Sequence, residues 1–168
     1  MRNALDVIGL PVILLDSGKQ IGKVKDILFA TDGSLQGLQV ETAHFLRRRK
    51  YIPLKAISAI GRDAVTVSEP LMEDFVAADG MAMLQGQRKM KGMPILTTNG
   101  DHLGTIVDVY FQEELGTIIG YELTDGFLSD VTEGRKWLRP TRMIYGEDAY
   151  IVPNTDRKRL NDTLLKEE

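Results

Sequence analysis

The sequence contains no cysteine, which excludes a disulfide scaffold, a thiolate metal site, a cysteine nucleophile and a thiol redox switch. Its two histidines, His44 and His102, lie far apart and show no metal-ligand spacing. No apolar run reaches the roughly 20 residues that span a bilayer, and Gly9 and Pro11 come too early for the apolar core of a signal peptide. We therefore expect a cytoplasmic protein without a metal site, a cofactor or membrane insertion.

The balance of charged and hydrophobic residues is that of a soluble globular protein. Hydrophobic residues make up 43% of the chain and charged residues 27%, so a largely disordered chain is not expected. The net charge of −3 provides no global attraction to nucleic acid or to an anionic membrane. The 168 residues suffice for one ordinary domain or two small ones, and an internal repeat decides between them.

Two stretches of the chain carry similar residues in the same order. The segment Gly-Leu-Pro-Val-Ile that begins at Gly9 returns 83 residues later as Gly-Met-Pro-Ile-Leu. Further matches follow at an offset of 82: Gly18 with Gly100, Gly22 with Gly104, Asp26 with Asp108 and Phe29 with Phe111. Because chance would hardly supply several such matches in one order, we divide the chain into a first copy at 1–69, a linker at 70–87, a second copy at 88–153 and a C-terminal segment at 154–168.

Each copy has the pattern of a series of short β-strands. Leu38 and Val40 alternate with polar residues as in a half-buried strand, and the pair Asp32-Gly33 suits a tight hairpin. Several such strands in about 65 residues predict an all-β fold of two small β-barrels in tandem. The repeated glycines are expected at sharp bends or close backbone contacts: Gly22, Gly37, Gly104 and Gly120.

Short helices are predicted outside the two copies. After Ser68 as a cap, apolar residues spaced three and four apart predict a linker helix that reaches about Ala78. Asn154 or Thr155 is the predicted cap of a C-terminal helix that carries Leu160, Leu164 and Leu165 on one face. Since methionine fills irregular gaps, the methionines around the linker predict packing between the two barrels, with homodimer contact as second choice: Met72, Met81, Met83, Met90 and Met93.

The motifs of the first copy follow one another as Gly-x-Pro-Val, Gly-x-Gln-Ile-Gly-Lys-Val-x-Asp-Ile-Leu-Phe, Gly-Leu-x-Val and Tyr-Ile-Pro-Leu-x-x-Ile. This order resembles the PRC-barrel domain, which is related to the barrels of the photosynthetic reaction-centre H subunit and of a ribosome maturation factor. Because the pattern occurs twice, the chain is similar to stand-alone bacterial proteins with tandem PRC barrels. The resemblance implies barrels that bind partners and share no catalytic centre. The second copy departs from the last motif at residues 137–140, Trp-Leu-Arg-Pro, so one partner for both barrels is not implied.

The equivalent aspartates Asp26 and Asp108 are the candidates for a catalytic carboxylate pair. Since each barrel would hold one of them, we expect hydrogen-bond anchors at strand bends instead. No glycine-rich phosphate loop precedes a helix, and no serine lies in a nucleophile-elbow context. We accordingly predict that the protein has no catalytic residues and is not an enzyme.

Two features in loops are candidates for partner binding. The basic run Arg47, Arg48, Arg49 and Lys50 could contact RNA phosphates, although a solvated loop edge is the favoured interpretation. Two apolar pairs could close the barrel mouths or anchor a partner: Phe45 with Leu46, and Phe127 with Leu128. We therefore predict a non-enzymatic adaptor that presents loops 42–50 and 124–136 to a protein partner. RNA or ribosome association through the basic run is the alternative.

Overall fold

The computed structural model describes residues 1–42, 49–70, 73–74, 80–114, 116–126 and 134–161. These residues form strands, one short α-helix and two 3₁₀ helices, at Leu54–Ala56 and Asn154–Arg159. The other elements are β1 (Arg2–Asn3), α1 (Ala4–Val7), β2 (Pro11–Leu14), β3 (Gln20–Phe29), β4 (Leu35–Thr42), β5 (Arg49–Pro53), β6 (Ile57–Ile60), β7 (Val65–Val67), β8 (Glu73–Asp74), β9 (Met81–Ala82), β10 (Pro94–Thr97), β11 (His102–Gln112), β12 (Thr117–Thr124), β13 (Lys136–Leu138), β14 (Ile144–Tyr145), β15 (Tyr150–Val152) and β16 (Leu160–Asn161).

The strands form two curled sheets of the same topology, which confirms the all-β prediction. The first sheet has the order β6-β7-β2-β3-β4-β5-β8, and the second has the order β14-β15-β10-β11-β12-β13-β16. In each sheet the first strand of the copy pairs in parallel with the last strand of the repeat motif, β2 with β7 and β10 with β15. The remaining neighbours are antiparallel, so the sequence repeat corresponds to a repeat of the whole strand order.

Glycines of the first sheet lie where another backbone comes close, as predicted. A Cβ atom at Gly37 would lie 2.2 Å from the carbonyl oxygen of Ile52 and 2.7 Å from the ring of Tyr51. A Cβ atom at Gly22 would lie 2.5 Å from the carbonyl oxygen of Glu41. No side chain fits between neighbouring strands at such distances, so these positions require glycine.

The two sheets exchange short segments. The chain that leads into the first copy, β1 and α1, lies on the second sheet, where β1 pairs with β11. The chain that leads into the second copy contains β9, which pairs with β3 of the first sheet. We call residues 2–7 the first lead-in segment and residues 81–85 the second lead-in segment. Strand β9 lies within the predicted linker 70–87, but it precedes β10 as β1 precedes β2, so we count it with the second copy. Each copy therefore contributes a strand to the sheet of the other, and the repeat in sequence is interlocked in space.

Side chains of both copies meet in one hydrophobic core. The rings of Phe29 and Phe111, which are equivalent in the repeat, pack edge to face with centroids 5.9 Å apart. Met81 is 1% exposed, and its Sδ atom accepts a hydrogen bond from the Tyr150 hydroxyl at 3.2 Å. Because Met81 belongs to a strand of the first sheet and Tyr150 to the second, the predicted packing of methionine between the barrels is confirmed at this position.

The linker differs from the predicted helix. Glu73 and Asp74 form strand β8, which pairs with Lys50 and Tyr51 of β5. The edge of β5 offers backbone groups that an extended segment can satisfy, and this tertiary pairing overrides a local amphipathic pattern. A helix through Glu73 and Asp74 is therefore wrong, and the rest of the predicted span, together with Met72, lies outside the described residues.

The C-terminal segment also differs from its prediction. Asn154–Arg159 is a 3₁₀ helix that follows Pro153, and no side-chain cap was found at its start. Leu160 then continues as strand β16, which pairs with β13. The predicted C-terminal helix is thus present as a 3₁₀ helix that begins at Asn154. Its continuation through Leu160 is wrong, because the edge of β13 pairs with Leu160 as the edge of β5 pairs with β8. Leu164 and Leu165 lie outside the described residues.

Candidate functional site

Most of the predicted partner-binding residues lie outside the part of the chain that the structure describes: Phe45, Leu46, Arg47, Arg48, Phe127 and Leu128. Arg49 and Lys50 are described, and they open β5, where Arg49 is exposed opposite Glu41. Lys50 lies between Val40 and Asp74 of the neighbouring strands. The basic run therefore continues from the loop into the sheet, and its last two residues point to opposite faces of β5.

Ion pairs flank the base of the hairpin that carries the second loop. The Arg135 guanidinium lies 3.3 Å from the Glu122 carboxylate, and the Lys136 ammonium lies 3.0 Å from the Asp125 carboxylate. Both pairs join β12 or its end to the entry of β13. Such partly exposed pairs contribute little stability by themselves, but they fix the two ends of the loop relative to each other.

Asp26 is fully buried directly after a bulge in β3. Its Oδ1 atom accepts hydrogen bonds from the amides of Ile27 at 2.8 Å and Leu84 at 3.0 Å, and its Oδ2 atom accepts one from Gln85 at 2.9 Å. Burial raises the pKa of this carboxyl group, while these amide hydrogen bonds oppose the increase. Asp26 therefore anchors the second lead-in segment to β3.

Asp108 occupies the equivalent place after a bulge in β11 and is 3% exposed. Its Oδ1 atom accepts hydrogen bonds from the amides of Val109 at 2.7 Å and Leu5 at 3.1 Å. Burial raises the pKa of Asp108 to about 6, and the nearby carboxylates of Glu122 and Asp6 act in the same direction. Asp108 thus anchors the first lead-in segment to the second sheet, with fewer donors than Asp26 has.

These contacts show both aspartates as hydrogen-bond anchors at strand bends. The sequence does not reveal that Leu84, Gln85 and Leu5 supply the donors, because backbone amides leave no residue-type signal. Each carboxylate belongs to one copy and holds the lead-in segment of the other, so the aspartates are two separate structural sites.

A polar cleft of about 300 Å³ lies between the two copies. The β3–β4 hairpin of the first copy contributes Thr31 and Asp32 to one wall, and the second copy supplies the other walls from β12, β14 and residues 140–143. Asp32 is held by its own turn, where its Oδ1 atom accepts hydrogen bonds from the amide of Ser34 at 2.9 Å and its hydroxyl at 2.6 Å. The hairpin predicted at Asp32-Gly33 is therefore confirmed, and it forms one side of a site.

Two tyrosines form the inner end of this cleft. Tyr121 is 2% exposed, and its hydroxyl lies 2.7 Å from the hydroxyl of Tyr145. Burial raises the pKa of both phenols above the usual range, so both are protonated at neutral pH. The rings of Tyr145 and Tyr150 pack edge to face with centroids 4.9 Å apart.

A buried aspartate supports the outer wall of the cleft. Asp156 is 1% exposed and accepts hydrogen bonds from the amide of Thr141 at 2.8 Å and from its hydroxyl at 2.9 Å. Arg142 follows Thr141, is exposed and lines the cleft. Among the described residues we found no ion pair of the Arg142 guanidinium, so this cation is available to a ligand.

Comparison with known proteins places this architecture in a family. The model of the PRC-barrel domain matches residues 1–71 and 86–159 of the chain. The chain belongs to the PRC-barrel family. The two matched segments contain the two equivalent sets of strands, so the tandem arrangement predicted from the repeat is confirmed.

A relative is similar in sequence along most of its length. The PRC-barrel chain is 30% identical over 163 residues to the uncharacterized protein YrrD of Bacillus subtilis (strain 168). The alignment covers 96% of this chain and 88% of the relative. Within the described residues of this PRC-barrel protein, no helix is long and apolar enough to cross a membrane.

The cleft of this PRC-barrel protein was not predicted, although the repeat in the sequence carries a signal of it. Tyr121 stands where the first copy has Leu38, Tyr145 where it has Ile60, and Tyr150 where it has Val65. Three aliphatic positions of one barrel are thus tyrosines in the other, and of these tyrosines Tyr121 and Tyr145 line the cleft. Buried hydroxyl groups are unfavourable unless they are hydrogen-bonded, so this change indicates a use for polarity in the second barrel. The first-copy hairpin reaches the second copy through backbone hydrogen bonds such as that from the Ile118 amide to the Gly33 carbonyl oxygen, and the sequence does not show this contact between distant residues.

Proposed function

We propose that this PRC-barrel protein is a non-enzymatic, cytoplasmic adaptor that presents the loops at 42–50 and 124–136 to a protein partner. The observation that carries the proposal is the interlocking of the two copies through their lead-in segments. An interlocked pair of barrels holds the strands that flank the two loops at a constant separation, which suits the recognition of a partner with two contact points.

The contacts of the buried aspartates support a structural role for the most conspicuous carboxyl groups. The oxygens of Asp26 face the amides of Leu84 and Gln85, and Oδ1 of Asp108 faces the amide of Leu5. A general acid or base needs an oxygen that reaches a substrate, whereas these oxygens are directed at the backbone of the lead-in segments. The geometry therefore favours a scaffold over a catalyst.

The strands that carry the loops each pair with a neighbouring strand on both sides. The first loop connects β4 to β5, and five residue pairs register between these strands. The second connects β12 to β13, whose ends are joined by the pairs Glu122–Arg135 and Asp125–Lys136. Binding residues placed on a rigid base lose less conformational entropy when a partner binds.

Affinity capture with full-length protein tests the adaptor function. We expect the wild-type protein to retain one defined protein reproducibly, and the variants Phe45→Ala and Phe127→Ala to retain it at least tenfold less. Leu15→Ala is a matched control, because Leu15 is a 56% exposed apolar side chain that belongs to neither 42–50 nor 124–136. Equal retention by all variants, or no reproducible partner, would contradict the proposal.

RNA or ribosome association is a second candidate, favoured by the exposed position of Arg49 at the end of the basic run. Binding through these residues should weaken steeply as salt rises from about 50 to about 200 mM. Replacing Arg47, Arg48 and Arg49 by glutamate should abolish it. RNA binding that survives this reversal would exclude the basic run as its site.

A further inference from the structure

We propose that the cleft between the two copies binds a free α-amino acid with an aliphatic side chain. This inference goes beyond the adaptor function and does not depend on it. The cleft brings together a carboxylate from the first copy with a guanidinium and two phenols from the second. The site is complete only where the two copies are assembled.

The tyrosine pair leaves one hydrogen-bond donor for a ligand. Tyr121 and Tyr145 have two hydroxyl protons, and their mutual contact at 2.7 Å uses one of them. In the part of the chain that the structure describes, the second proton has no protein acceptor within hydrogen-bond distance. Because both residues line the cleft, this donor can bond to a molecule that fills it.

The two charged groups of the cleft call for a ligand with both signs of charge. The Oδ1 atom of Asp32 takes the hydrogen bonds of its turn, which leaves Oδ2 for a cation. Arg142 lines the same cleft, and no ion pair joins it to Asp32 or to another described residue. A zwitterion satisfies both groups, with its ammonium at Asp32 and its carboxylate at Arg142, and a carboxylate oxygen can also accept the free phenolic proton.

The size and the remaining lining define the rest of the ligand. Small-molecule sites usually occupy roughly 300–1,000 Å³, so a cleft of about 300 Å³ suits a ligand as small as an amino acid. Its apolar lining includes Ile118, Ile119 and Met143. An aliphatic side chain would remove these groups from water, whereas a charged side chain would lose its hydration there.

The walls that carry the polar groups are held in place before any ligand binds. Asp156 fixes Thr141 beside Arg142 through hydrogen bonds to its amide and its hydroxyl. The turn at Ser34 fixes Asp32. Preorganised groups bind a small ligand without a large entropic cost. The first barrel has no equivalent of the phenols, since Leu38 and Ile60 occupy their positions.

Titration of the full-length protein with L-leucine, followed by calorimetry and by amide chemical shifts, tests this proposal. We expect saturable binding with shifts centred on residues 31–33 and 140–145. Leucinamide lacks the carboxylate and 4-methylpentanoate lacks the ammonium group, so each should bind roughly tenfold more weakly or worse. No saturable binding of leucine below about 10 mM, shifts centred elsewhere, or binding of either analogue as tight as that of leucine would overturn the proposal.

Variants of the lining residues test whether these residues bind the ligand or only stabilise the fold. Arg142→Gln, Asp32→Asn and Tyr145→Phe should each weaken leucine binding by roughly tenfold. Tyr150→Phe is the matched control, because its hydroxyl bonds to the Met81 sulfur and should leave leucine binding unchanged. The thermal unfolding of each variant checks that its fold is intact. Undiminished binding by a folded Arg142→Gln protein would overturn the assignment of the ligand carboxylate.

Discussion

The two barrels share every strand pairing of their sheets but differ in the chemistry of equivalent positions. The strand orders are the same, and each sheet receives a short strand from the other copy. Yet Leu38 and Ile60 of the first barrel correspond to Tyr121 and Tyr145 of the second. Glycines, turns and buried aspartates therefore specify the fold. The side chains at equivalent interior positions can be aliphatic in one barrel and phenolic in the other.

The two aspartate anchors have the same role but accept different numbers of hydrogen bonds. Both carboxylates follow a bulge and hold the lead-in segment of the other copy. Asp26 uses both oxygens toward Leu84 and Gln85, whereas Asp108 accepts from Leu5 through Oδ1. The second lead-in segment is thus held by more hydrogen bonds than the first.

The largest effect is expected from separating the two copies. Fragments 1–79 and 80–168 would each lack the lead-in strand that the other provides. We expect each fragment alone to lose most of its free energy of unfolding, because small barrels have little stability to spare. An equimolar mixture should recover the urea transition of the intact chain. If each fragment unfolds as a monomer with the midpoint of the intact chain, the copies are not interdependent.

Glycine positions provide the next largest contrast. In Gly37→Ala the new Cβ atom would lie 2.2 Å from the Ile52 carbonyl oxygen, so β4 and β5 must separate and stability should fall by about 3 kcal/mol. At the equivalent Gly120 the corresponding distance, to the Leu138 carbonyl oxygen, is 3.3 Å. Gly120→Ala should change stability by less than about 1 kcal/mol, since a small clash offsets a gain in unfolded-state entropy. Urea unfolding of both variants measures the difference, and equal losses would refute it.

We expect the two aspartate anchors to differ in how stability changes when asparagine removes their charge. In Asp26→Asn an amide group must face a backbone N–H of Leu84 or Gln85, which should cost about 2 kcal/mol. In Asp108→Asn the remaining oxygen can still accept both hydrogen bonds, and the buried charge beside Glu122 disappears. We therefore expect Asp108→Asn to be as stable as the wild-type protein at pH 7.5, or more stable.

The pH dependence gives a direct check on Asp108. Its pKa is raised from 3.8 in the unfolded chain to about 6 in the folded protein, so the folded state binds the proton more tightly. This stabilisation is fully present below about pH 4 and is lost as the pH rises through about 6, with a total of about 1–2 kcal/mol after allowance for solvent screening. In Asp108→Asn this part of the pH dependence should be absent. If the stability of the variant depends on pH as steeply as that of the wild-type protein, a group other than Asp108 causes this dependence.

Much of the fold follows from the sequence because its signals are local. Gly37 and the Asp32-Gly33 turn predict a close contact and a hairpin, and both are found. The exchange could not be predicted, because lead-in strands of two residues have no periodicity and their donors are backbone amides. The prediction of a linker helix was wrong for a related reason, because Glu73 and Asp74 pair with β5, a strand that is distant in sequence. The cleft depends on direct backbone contacts between the hairpins of the two copies, such as Ile118 with Gly33, so it is apparent only in three dimensions.

The smallest effect concerns the tyrosine pair and tests whether the second barrel needs its polarity. Tyr145→Phe leaves the buried Tyr121 hydroxyl without its partner and should cost about 1 kcal/mol. The double variant Tyr121→Phe/Tyr145→Phe removes both hydroxyls and approaches the apolar filling that Leu38 and Ile60 give the first barrel. Because replacing both partners of a buried hydrogen bond by apolar groups is nearly neutral, the double variant should match or exceed the wild-type stability while it loses leucine binding. Urea unfolding of the wild-type protein, the two single variants and the double variant measures these changes in stability. If the losses of the single variants add up in the double variant, the phenols stabilise the fold of the second barrel.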